Sequence, residues 1–140
     1  MITSLNSKQV FVFGSNIEGH HIAGAAKQAY EQFGAIWGVG VGLAGKSYAI
    51  PTMGDWVDLQ TYVEQFKEFA KDNPDKEFLL TRIGCGIAGY SDAEIKPLFD
   101  DAPKNVVKPK EWVIKHIPIL TPIDQLQYLD SDRENYGYKR

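Results

Sequence analysis

Two segments hold the residues best suited to chemistry: GSNIEGHHIAGAA (14–26) and RIGCGIAGYS (82–91). Each follows an apolar run and leads toward a helical pattern. In the second, Gly84, Gly86 and Gly89 fall within six residues, beside Cys85, the chain's single cysteine. Glycines before a helix let the backbone turn inward and let a ligand approach unobstructed. The first amides of a helix lack intrahelical partners and carry partial positive charge. Consecutive amides of this kind form a concave anion nest. If the two segments are neighbours, they form a cleft able to hold a diphosphate. The competing reading is that both are tight turns and nothing more. The first segment contains neither a dinucleotide fingerprint nor a phosphate-loop motif.

The side chains divide by what they can offer. Asn16 both donates and accepts, which makes it the expected ligand contact of the first segment, with Gly19, His21 and Gly24 around it. In the second segment the expected contacts are Gly84, Cys85, Gly86, Ile87, Ala88, Gly89 and Tyr90. Tyr90 stands at the rim, where it can stack on a base or a ribose. His20 and His21 invite a metal reading, but adjacent histidines on a loop seldom face one point, and His116 is remote. No carboxylate pattern completes a site, so neither a metal nor a cofactor is expected. Cys85 reads as a small apolar residue, because no histidine stands beside it in sequence. Asp55, Asp58 and Asp92 read as helix caps before they read as general bases.

These segments need elements to position them. QVFVFGSN (9–16) reads as a buried strand broken by Gly-Ser-Asn. From Ile22 to Phe33, Ile22, Ala25, Ala26, Ala29, Tyr30 and Phe33 keep helical spacing, and Gly34 stops that helix. Gly38, Gly40, Gly42 and Gly45 mark a loop or irregular hairpin leading to a strand over 47–50, which Pro51 and Thr52 end. From Asp58 to Asp72 an amphipathic helix buries Leu59, Tyr62, Val63, Phe66, Phe69 and Ala70, and Asn73-Pro74 closes it. A strand follows over 78–83. Ser91 and Glu94 then have capping-box spacing before a helix that Pro97 keeps short. Residues 112–120 form a further strand candidate, with Pro118 pointing to an edge or a break. Trp56 and Trp112 fit no pattern, and packing is the safer expectation for both. Alternating strands and helices imply an α/β domain.

At 140 residues the chain is most simply one domain, taken as 1–123 with a polar tail over 124–140. A formal charge of −3 gives no basic field for nonspecific nucleic-acid binding. One cysteine excludes an internal disulfide framework and fits a reducing compartment. No stretch approaches the ~18 consecutive apolar residues of a membrane span, and MITSLNSKQVFVFG lacks the arrangement of a signal peptide. A cytoplasmic location without membrane attachment is the expectation.

VFVFGSN, then GHHIAGAAKQAYEQFG, SYAIPT and TRIGCGIAGYSDAEI, resembles the macro domains, which bind ADP-ribose. The resemblance covers about residues 9–99 and is nearest to a small phage-associated macro-like group. It implies a three-layer α/β/α sandwich with a mixed sheet. It also implies Asn16 near the distal ribose, with residues 84–90 around the diphosphate and that ribose. The chain departs from the pattern where catalysis would sit. In RIGCG, the branch that removes ADP-ribose from modified carboxylates, an aspartate stands where this chain has Ala88. That branch also has a lysine just before Phe-Gly, where this chain reads YEQFG. A second branch has an aspartate at the place of Ala26. Ile22 replaces a glycine, which narrows the site, and no counterpart of the family's adenine-holding aspartate stands in MITSLNSKQ.

Two functions follow. The first is capture of ADP-ribose or a related NAD-derived nucleotide by backbone amides, which the missing carboxylates favour. The second is hydrolysis of an ADP-ribosyl or phosphate ester by a water held by Asn16 and by His21 or Asp92, with His21 as base. A scaffold that meets a protein partner through the C-terminal tail is the third reading.

Overall fold

The structure, a computed structural model, describes residues 2–114. Its centre is a five-stranded mixed sheet in the order β2-β3-β1-β4-β5. β1 (Gln9–Ser15) lies in the middle, parallel to β3 (Ser47–Pro51) on one side and β4 (Glu77–Leu80) on the other. β2 (Gly42–Ala44) runs antiparallel to β3, and β5 (Val106–Val107) pairs in parallel with β4. The glycine-rich stretch after residue 34 is thus an irregular hairpin, as its composition implies.

Alternation along β1 divides the core. Val10 and Val12 join one apolar cluster, Phe11 and Phe13 the other. The first cluster includes Leu59, Val63, Phe66 and Ala70 of α2 (Trp56–Asp72), packed with Tyr48, Ile50, Phe78 and Leu80. Burying Phe66 completely contributes about 2–3 kcal/mol. The second includes Ala29 of α1 (Gly24–Gln32) and Phe33 just beyond it. Asp55 caps α2 by accepting from the Asp58 amide at 2.8 Å. Ser91 and Glu94 form the full capping box of α3 (Asp92–Ile95), and Pro97 falls in a 3-10 turn, Lys96–Phe99.

Three expectations need correction. α1 begins at Gly24, two residues later than its apolar spacing predicts, so Ile22 is 72% exposed instead of packed. Tyr30 also leaves the packing face and lies edge-on to Trp37 at 5.7 Å. The strand expected from Trp112 is instead helix α4 (Lys110–Ile114). Pro109 fixes its own φ and its carbonyl accepts from the Trp112 amide at 3.0 Å, which starts a turn. The remainder of that strand candidate, His116 and the 124–140 tail lie outside the described residues. Among the described residues, no helix is long and apolar enough to cross a membrane.

Candidate functional site

β1, β3 and β4 are parallel, so their carboxyl ends share one sheet edge. From β1 the chain passes to α1, which packs with the Phe11 and Phe13 cluster; from β3 it passes to α2, which packs with the Val10 and Val12 cluster. Adjacent strands whose connections leave toward opposite faces open a crevice at that edge. A cleft of about 540 Å³ lies there. Gly14, Ser15 and Asn16 line it from β1 and its loop, with Glu18 and His20; Ile22, Ala23 and Ala26 from the start of α1; Thr52 and Met53 after β3; and Ile87 from the second glycine loop. The two glycine segments therefore do converge. A Cβ placed on Gly14 would come to 3.6 Å from the Gly84 amide nitrogen, so the loops touch at their base.

The first loop is self-contained. Asn16 Oδ1 accepts from the His20 amide at 2.8 Å, and its Nδ2 donates to the His20 carbonyl at 3.0 Å. One amide hydrogen and one oxygen lone pair of Asn16 remain for another group. Gly19, at φ +71°, lies buried under the backbone of Gly38 and Val39, where any Cβ would overlap it. It serves packing here and is not among the residues that line the cleft. His21 is also misplaced by the sequence reading. Its side chain points inward, with 1% of the residue exposed, and Nε2 meets the carbonyls of Ile36 at 3.1 Å and Val39 at 3.2 Å. Two carbonyl partners require the hydrogen on Nε2. Nδ1 is buried without a partner among the described residues. Its neighbour His20 lines the cleft instead, stacked on Trp37 at 5.4 Å.

The cleft meets the start of α1. Ala23, the N-cap, supplies no side-chain acceptor, and no acidic residue occupies the first turn. Among the described residues, no side chain caps the Gly24, Ala25 and Ala26 amides, and Gly24 has open space where a Cβ would stand. Such a terminus attracts an anion.

The second loop rests on Asp92. Its Oδ1 accepts from Trp112 Nε1 at 2.6 Å and Arg82 Nε at 3.0 Å, and Oδ2 from an Arg82 terminal nitrogen at 2.7 Å. The Cys85 thiol donates to the same carboxylate at 3.4 Å. The Arg82 hydrogen bonds, with lesser help from Trp112 and Cys85, outweigh burial and hold Asp92 well below the usual carboxylate range. A carboxylate so occupied is not a general base, and α3 is capped by Ser91 rather than by Asp92. Cys85 is half-buried and turned to this cluster, away from a ligand role.

Gly84 and Gly89 take positive φ to shape the loop, and the Tyr90 amide donates to the Gly84 carbonyl at 2.8 Å. Gly84 is buried, and its Cβ would stand 3.1 Å from Ile95. Tyr90 packs on Trp56 at 5.2 Å, outside the residues that line the cleft. At the tip, Gly86 meets nothing within 4 Å and Ile87 is 82% exposed. No hydrogen bond engages the Gly86, Ile87 or Ala88 amides among the described residues.

Sequence reading missed Thr52, Met53, Glu18 and His20. Thr52 and Met53 had a signal: they follow a strand, and parallel neighbours share an edge. GCGIAG (84–89) also matches G-x-G-x-x-G by spacing. In that fingerprint the glycines turn directly into a helix, whereas here residues 81–91 separate β4 from a four-residue helix. No family model, no curated protein and no solved structure matches this chain. Among the described residues, no group of three or more His, Cys, Asp or Glu side chains is arranged to hold a metal ion.

Proposed function

We propose that the cleft binds ADP-ribose or a related NAD-derived nucleotide. The diphosphate lies between the first turn of α1 and the tip of the second glycine loop, held mainly by backbone amides. The observation that carries this reading is the meeting of the two loops in one hollow, at an uncapped helix start with no acidic first turn. Asn16 keeps one donor and one acceptor for a ribose hydroxyl. Among the described residues, no lysine or arginine lines the cleft, so affinity depends on amide geometry more than on long-range charge. The macro-domain resemblance adds the nucleotide's identity.

Binding is favoured over hydrolysis. His21 is buried, and Asp92 is engaged by donors from three side chains. Ala26 and Ala88 offer no proton-transfer group. Calorimetric titration with ADP-ribose and NAD tests the reading. Saturable one-site heat from either supports it, and no heat from both overturns it.

A further inference from the structure

Beside the cleft lies a second hollow of about 350 Å³, and Glu18 and Met53 line both. Its other walls are Ile17, Pro51, Gly54, Asp58 and Tyr62. Ile17 and Met53 are 53% and 51% exposed and belong to neither core cluster, so two apolar side chains stand open around one concavity. Among the described residues, the only formal charges on its walls are two carboxylates, Glu18 and Asp58, with no lysine or arginine. Neither carboxylate has a side-chain ion pair among the described residues. Gly54 leaves room for one of them: a Cβ there would stand 3.2 Å from Asp58 Oδ2.

The two adjoining hollows therefore differ in polarity from one to the other. One end presents the α1 amides, which attract an anion; the other presents negative charge against apolar walls and a tyrosine ring. A second phosphate is repelled there. A flat organic cation gains from the carboxylates and from contact with a tyrosine ring.

We infer that the second hollow receives a planar, delocalised cation carried on the terminal ribose of the nucleotide. This inference rests on the nucleotide reading of the cleft. Two molecules supply that chemistry: NAD, through its oxidised nicotinamide ring, and ADP-ribosyl-arginine, through its guanidinium. Asp58 and Glu18 offset the charge, and Ile17, Met53 and Pro51 bury the flat faces.

Calorimetric titration with oxidised NAD, NADH, ADP-ribose and ADP-ribosyl-arginine separates the cases. The expected result is that oxidised NAD or ADP-ribosyl-arginine binds at least tenfold more tightly than ADP-ribose, the tighter one naming the source. NADH, which lacks the ring charge, shows no such gain. The Asp58→Asn variant changes a wall of the second hollow that does not line the cleft, so it retains ADP-ribose binding and loses most of the preference. Equal affinity for all four overturns the inference and leaves the cleft reading intact. A preference undiminished in Asp58→Asn also overturns it. No binding of any of the four overturns both.

Discussion

The first glycine loop closes on itself, whereas the second is tied at its base and open at its tip. In the first, Asn16 bonds across to His20, and Gly19 sits where backbone meets backbone, as does Gly40, which packs on this loop from the stretch before β2. In the second, Asp92 holds Arg82 and Cys85 near the strand end, while Gly86 and Ile87 face open space. Glycine thus has two separate uses within one cleft. In the first loop it permits close packing, and in the second it leaves the approach clear. Composition alone does not distinguish them, because both loops read as small residues after a strand.

Substitutions can break this contrast. Gly19→Ala has the largest expected effect: a Cβ at φ +71° overlaps the Val39 backbone. Left-handed strain and overpacking together cost about 3–4 kcal/mol, read as a lower midpoint in urea unfolding. A near-wild-type midpoint would show that the first loop shifts freely. Asp92→Asn is next, with a loss of about 2 kcal/mol at pH 7, since it weakens charged hydrogen bonds to Arg82 and to the buried Trp112. The sign of its pH dependence follows from the depressed value. The native state binds this proton less readily than the unfolded chain, so Asp92 stabilises the fold above its unfolded value of about 3.9. That contribution is lost as the pH falls below it. The Asn variant should flatten the acid limb of the stability curve, and an unchanged limb would remove Asp92 from its central place.

Asn16→Ala removes two hydrogen bonds in a half-exposed loop and should cost about 1–2 kcal/mol. Gly86→Ala sharpens the comparison most, because its effect on stability is the smallest. Its φ is not in the left-handed region and nothing lies within 4 Å, so the unfolding free energy should move by less than about 1 kcal/mol. ADP-ribose affinity should nevertheless fall about tenfold, near 1.4 kcal/mol, as the new methyl obstructs the diphosphate. Unchanged affinity would make the second loop a plain turn.

Much of the scaffold was legible in the sequence because it rests on local signals. Phe78–Leu80 of the strand expected over 78–83, the β-branched and aromatic run of β1, the single apolar face of α2 and the Ser91–Glu94 box all recur where spacing puts them, whereas residues 81–83 leave the sheet and begin the second glycine loop. The convergence of the loops was legible too, given that strands followed by helices pair in parallel. What spacing does not carry is side-chain direction on a loop. His20 and His21 differ by one position, yet one lines the cleft and the other is buried under Trp37, Tyr30 and Phe13. Long-range pairing was equally hidden. Trp112 owes its place to a carboxylate 20 residues earlier, and β5 is two residues whose strand character comes only from β4. The second hollow needed the fold, since Ile17 follows β1 whereas Asp58 and Tyr62 lie one turn apart on α2.

The most direct test follows backbone amide signals by two-dimensional NMR as ADP-ribose is added to the labelled protein. The account predicts that Ala25 and Ala26 at the start of α1 shift with the same saturation curve as Gly86, Ile87 and Ala88, while core amides such as Val12 stay still. Shifts confined to one group, or none in either, would contradict it.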